Sequence, residues 1–129
     1  MPFDWREFLV LAETLLESRS EAAYRSAISR AYYSVYNQAS ERAQKNECKF
    51  DPAIDAGMHK KCWGFYRKGP DPNCAQLGVD GDRLRESRVR ADYRSGEYRR
   101  LQEEAAQIVK DVKLLAAKLA ALDPRYPLP

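Results

Sequence analysis

The ten residues 87–96, SRVRADYRSG, set Arg88, Arg90 and Arg94 around Asp92 and Tyr93. A guanidinium stays charged at every accessible pH and forks onto phosphate or carboxylate. Arg88 can therefore stabilise developing negative charge. Tyr93 is a weak base at neutral pH, with a reference pKa of about 10 against about 6.5 for histidine. Flanking Arg90 and Arg94 favour its anion, and the neutral phenol can still donate a proton or orient an anion. Asp92 is placed to pair with Arg88 four residues earlier or Arg85 seven earlier. As an exposed ion pair this contributes about 0.3–0.5 kcal/mol. The stretch reads either as a working site or as a helix end whose polar residues pack locally.

A second constellation lies upstream. Ser26, Arg30, Tyr33 and Asn37 recur at intervals of four, three and four, which puts them on one polar stripe of a helix. Packed near Arg88, the stripe brings Arg30 and Tyr33 to the same site. Otherwise Arg30 is a solvated charge and Tyr33 is half-buried core with its hydroxyl in water. His59, the only histidine, shares a helix face with Cys62. It can supply a base from another helix, or it can be a core or groove histidine. With Cys48 and Cys74 the pair offers four zinc-ligand types, but the spacings match no zinc finger. No metal and no cofactor is expected.

The elements that must position these groups are all helical. Trp5, Phe8, Leu9, Ala12, Leu15 and Leu16 mark a first helix, with Asp4 and Glu7 as a capping box. Ser18 and Glu21 suggest a second capping box. It opens a helix that carries Tyr24, Ile28, Ala31, Tyr32, Val35 and Ala39 on one face and ends near Asn46. Asp51-Pro52 predicts a helix start, followed by Ile54, Met58, Cys62 and Phe65 or Tyr66. KGPDPNC reads as a loop. A fourth helix is expected from Asp80 or Asp82 to the break at Ser95-Gly96. The last helix carries Tyr98, Leu101, Ala105, Ile108, Val112, Leu115, Leu119 and Leu122 at alternating spacings of three and four. Val109, Leu114, Ala116 and Ala117 widen that stripe, leaving surface for a second copy or a partner protein. The expectation is an all-α, antiparallel up-and-down bundle of four to five helices: one domain over 1–123 and a proline-rich tail over 124–129.

Composition agrees with a single globular domain: 129 residues, 44% hydrophobic and 11% aromatic. The net charge of +3 is too small to mark a nucleic-acid binder, but residues 83–100 hold seven arginines against three acids, which exceeds it. No apolar run reaches membrane-span length, and the N-terminus lacks a signal-peptide pattern. Three cysteines without a CxxC pair favour a reducing, cytoplasmic setting.

Two stretches together resemble the HEPN-domain family: YRSAISRAYYSVYNQA (24–39) its second helix, and LRESRVRADY (84–93) its arginine-led motif. The helix order and length agree over nearly the whole chain. The resemblance implies a small helical bundle that dimerises, with motifs from two protomers meeting in one site. Many such proteins are metal-independent ribonucleases of toxin–antitoxin and antiviral defence systems. Others bind partners, often nucleotidyltransferases. Arg88 matches the motif arginine, Val89 stands where a polar residue is common, and Tyr93 stands where the family carries histidine. Metal-free RNA cleavage needs the 2′-hydroxyl deprotonated, the phosphorane stabilised and the leaving oxygen protonated. Arg88 supplies the second need, with Tyr93 a poor substitute for the first. Arg85, Arg90, Arg94, Arg30 and Tyr33 are the expected phosphate contacts, supported by Asp92, Asn37 and His59.

Overall fold

The computed structural model describes residues 2–51, 57–96 and 98–129. They form five helices, α1 (Glu7–Leu16), α2 (Glu21–Lys45), α3 (Met58–Arg67), α4 (Pro72–Tyr93) and α5 (Leu101–Ala121), and no strand occurs among them. None of these helices is long and apolar enough to cross a membrane.

The ends of the helices explain their lengths. Before α1, the Asp4 carboxylate takes the Arg6 backbone N–H at 3.0 Å and its side chain at 2.9 Å. This local turn replaces the expected capping box, because Arg6 stands at the cap without a side-chain bond. At α2 the cap is Ser20, not Ser18: its extended backbone lets the hydroxyl accept from Ala23 N–H at 3.1 Å. Asn46 closes α2. Pro52 and Ile54, read as part of the third helix, lie outside the described residues. There α3 starts after Gly57, whose φ of +78° favours glycine.

The largest difference is at α4, which begins at Pro72 rather than at Asp80 or Asp82. The Asp71 carboxylate accepts from Cys74 N–H at 2.9 Å and Pro72 occupies the first turn. The second half of KGPDPNC is thus a helix start, and Cys74 is buried in a helix. Gly78 and Gly81, apparent breakers, instead allow close approach. A Cβ at 78 would lie 2.6 Å from the Trp63 carbonyl oxygen, and one at 81 would overlap the Trp63 ring.

Contacts fix the helix directions. Tyr32 meets His59 and Ala39 meets Tyr66, so α2 and α3 run the same way. Alternation is therefore broken once, between α2 and α3, and the remaining consecutive pairs are antiparallel. Two arginines of α2 cap the other long helices. Arg25 donates to the carbonyls of Ala91 at 3.0 Å and Arg94 at 2.6 Å, at the C-terminus of α4. Arg42 donates to those of Leu119, Leu122, Asp123 and Tyr126 at 2.6–2.9 Å, at the C-terminus of α5. These bonds satisfy carbonyls that a helix end leaves open. They also draw the tail inward, and Pro127 is fully buried.

The core centres on Ile28, Tyr32, Val35, Trp63, Tyr66 and Val112. The α5 stripe faces it as the spacing predicts, from Leu101 to Leu119. Val109 is buried with it, whereas Leu114 is exposed.

Candidate functional site

The sequence-predicted residues fall into three neighbouring places rather than one. The first is interior. Arg88, on the buried side of α4, is only 7% exposed. Its guanidinium carbon lies 5.3 Å from the Tyr33 ring centre, 5.6 Å from Tyr32 and 5.9 Å from Tyr93. The Asp92 carboxylate stands 3.6 Å away, one helical turn on. Asp92 also accepts from the Ser29 hydroxyl at 3.2 Å. Of the two partners expected for Asp92, Arg88 is the one found. Arg85 pairs with Asp82 at 2.8 Å instead. The Arg88 Nε is buried without a hydrogen-bond partner among the described residues. A cation in such a place is held by the carboxylate and by the faces of three rings.

His59 reaches the same interior from α3. Trp63 Nε1 donates to the Tyr32 hydroxyl at 3.1 Å, and the hydroxyl meets His59 Nδ1 at 2.7 Å. An indole N–H can only donate, so the Tyr32 hydroxyl accepts from Trp63 and shares one further hydrogen bond with His59 Nδ1. The ring stacks on Tyr36 at 3.9 Å. Burial, then the charges of Arg88 and Arg85, lower its pKa to about 4. This imidazole is neutral at pH 7, and its Nδ1 is engaged by Tyr32. Its lowered pKa makes it a weak general base. Burial also pushes Tyr36 up to about 12 and Tyr32 higher still.

The second place is an open groove of about 570 Å³ where the stripe of α2 meets the end of α4. Arg30, Tyr33, Asn37, Asp92 and Tyr93 line it, together with Ser29, Trp5 and Phe8. Arg30 lies 4.9 Å over Phe8 and 5.5 Å over Tyr33. No carboxylate of the described residues forms an ion pair with it. Tyr93 is 75% exposed and forms part of the wall. Ser26, at the start of the stripe, does not line the groove. Spacing marks Trp5 and Phe8 only as part of the first helix, yet both line the groove, and the Phe3, Trp5 and Phe8 rings pack 5.0–5.4 Å apart.

The third place is an outward patch of α4. Arg85, Arg90 and Arg94 line it with Arg83, Ser87, Val89 and Glu86. Arg90 also lies 3.7 Å from Glu104 of α5. These arginines do not share the groove with Arg30.

The cysteines take no part. Cys48, Cys62 and Cys74 are buried free thiols. Burial raises all three, Cys62 to about 12 and Cys74 to about 11. No group of three or more metal-ligating side chains occurs among the described residues. Comparison of the chain with family models, curated proteins and solved structures finds no match in any of the three.

Proposed function

We propose that the chain is a HEPN-like, RNA-directed effector that binds single-stranded RNA in the groove between α2 and α4. The observation that carries this reading is Arg30, a guanidinium without a carboxylate partner among the described residues, set over Phe8 and Tyr33 beside the exposed Tyr93 ring. Single strands are held by aromatic faces under bases and cations along the backbone, with about 1–3 kcal/mol per stacked base. The stretches that resemble the HEPN family lie on the two helices that line the groove. Arg88 is engaged by Asp92 and the tyrosine rings, and His59 is a weak base held by Tyr32 and Tyr36. This favours binding over cleavage. The cellular setting in this reading is cytoplasmic, in a toxin–antitoxin or antiviral defence system, with two copies forming a homodimer.

The second reading is a non-catalytic interaction module for a partner protein, such as a nucleotidyltransferase or a defence-complex subunit. It is favoured by Val10 and Leu11 on α1 and Leu114 on α5, all exposed on helices that pack together. Fluorescence anisotropy with a labelled single-stranded oligoribonucleotide that contains all four bases separates the two. Arg30→Ala and Tyr93→Ala should each weaken binding about tenfold. Absence of binding by the wild type overturns the RNA reading. Strand cleavage abolished by Arg88→Ala would restore a catalytic one.

A further inference from the structure

The groove has a hydrogen-bonding polarity that its aromatic walls do not dictate. Asp92 uses Oδ2 toward Ser29 and Arg88, and no donor of the described residues forms a hydrogen bond to Oδ1. Asn37 donates one amide hydrogen to the Tyr33 carbonyl at 2.8 Å, and no donor of the described residues bonds its side-chain oxygen. Arg30 is the one cation among the lining residues. The groove therefore offers two open acceptors beside stacking surface.

Nucleobase edges answer that polarity differently. Guanine presents N1–H and the N2 amino group side by side, all donors. Adenine and cytosine set a ring-nitrogen lone pair next to their amino group. Uracil sets a single N–H between two carbonyls. A carboxylate therefore matches guanine and meets a repulsive lone pair on each of the others. We infer that the groove selects guanine within a single strand. The base stacks against the exposed Tyr93 ring. Asp92 takes N1–H on its open Oδ1, Asn37 takes an N2 hydrogen, and Arg30 takes an adjacent phosphate. Arg88 behind Asp92 offsets the carboxylate charge that would otherwise repel the strand. This inference rests on the RNA reading above.

The test compares labelled oligouridylates of about seven nucleotides with guanosine, adenosine, cytidine, uridine or inosine at the centre, at one salt concentration. Guanosine should bind about tenfold more tightly than adenosine. Inosine, which keeps N1–H but lacks the N2 amino group, should fall between them. Asp92→Asn should bring guanosine within about twofold of adenosine, because an amide offers one donor and one acceptor. The ratio is the readout, and a general loss of affinity leaves it unmoved. If Asp92→Asn fails to fold, Asn37→Ala decides, with a preference lowered about threefold. Equal binding of all five strands overturns guanine selection and leaves RNA binding standing. A preference that survives both variants also overturns it. Binding of none overturns both readings.

Discussion

His59 is the one histidine of the chain, so its ring-proton resonance can be followed through a pH titration without assignment. The midpoint should fall near 4, set first by burial and then by Arg88 and Arg85. A solvated ring titrates at about 6.5. As pH falls, the unfolded chain takes up its proton from about 6.5, while the folded chain holds out to about 4. Stability present at pH 7 is therefore lost progressively across that window. The full interval corresponds to roughly 3 kcal/mol. The ring is half-buried, and solvent screening reduces this to about 1–2 kcal/mol. Urea melts at pH 7 and pH 4.5 measure the loss, and His59→Gln should remove that part of it. Tyr32 and Tyr36 add nothing in this range, because burial raises both away from it. Arg88→Met should move the midpoint upward by removing the nearby cation. A wild-type midpoint at 6 or above would refute the placement of His59 in this interior.

Three further substitutions test the packing and a helix end. Gly81→Ala should lower the melting temperature, because overpacking against Trp63 costs about 1–3 kcal/mol and outweighs the gain of about 1 kcal/mol in helix propensity. Gly64→Ala, with nothing within 4 Å of the added carbon, should raise it. Arg42→Met should cost about 2–3 kcal/mol through the lost charged hydrogen bonds at the end of α5. Hydrogen exchange should then quicken over residues 119–127 while α3 stays protected.

The parts of this fold that sequence makes readable are those whose signal is local or periodic. The α5 stripe sorts buried from exposed residues by spacing, and the α2 stripe brings Arg30, Tyr33 and Asn37 to one groove. Asp92 finds Arg88 because both lie one turn apart on α4. The rest depends on distant partners. Gly78 and Gly81 look like helix breakers until Trp63 is known to lie against them. Arg25 and Arg42 carry no local mark of a cap, since their acceptors lie more than sixty residues away. Arg85, Arg90 and Arg94 share a charge cluster with Arg88 in sequence, yet the helix turns them to another side. The run of arginines thus reads as one site and folds as a buried cation and an outward patch.

Arg25 and Arg42 also make α2 a ruler. They are seventeen residues apart, about 26 Å along the helix axis. One guanidinium grips the end of α4 and the other the end of α5. Adding a residue between them would carry one grip about 1.5 Å along the axis and about 100° around it. That guanidinium would then swing away from the carbonyls it holds. The number of residues between positions 25 and 42 is therefore constrained independently of their kinds. A length change in that interval should be tolerated only if one of the two grips is given up.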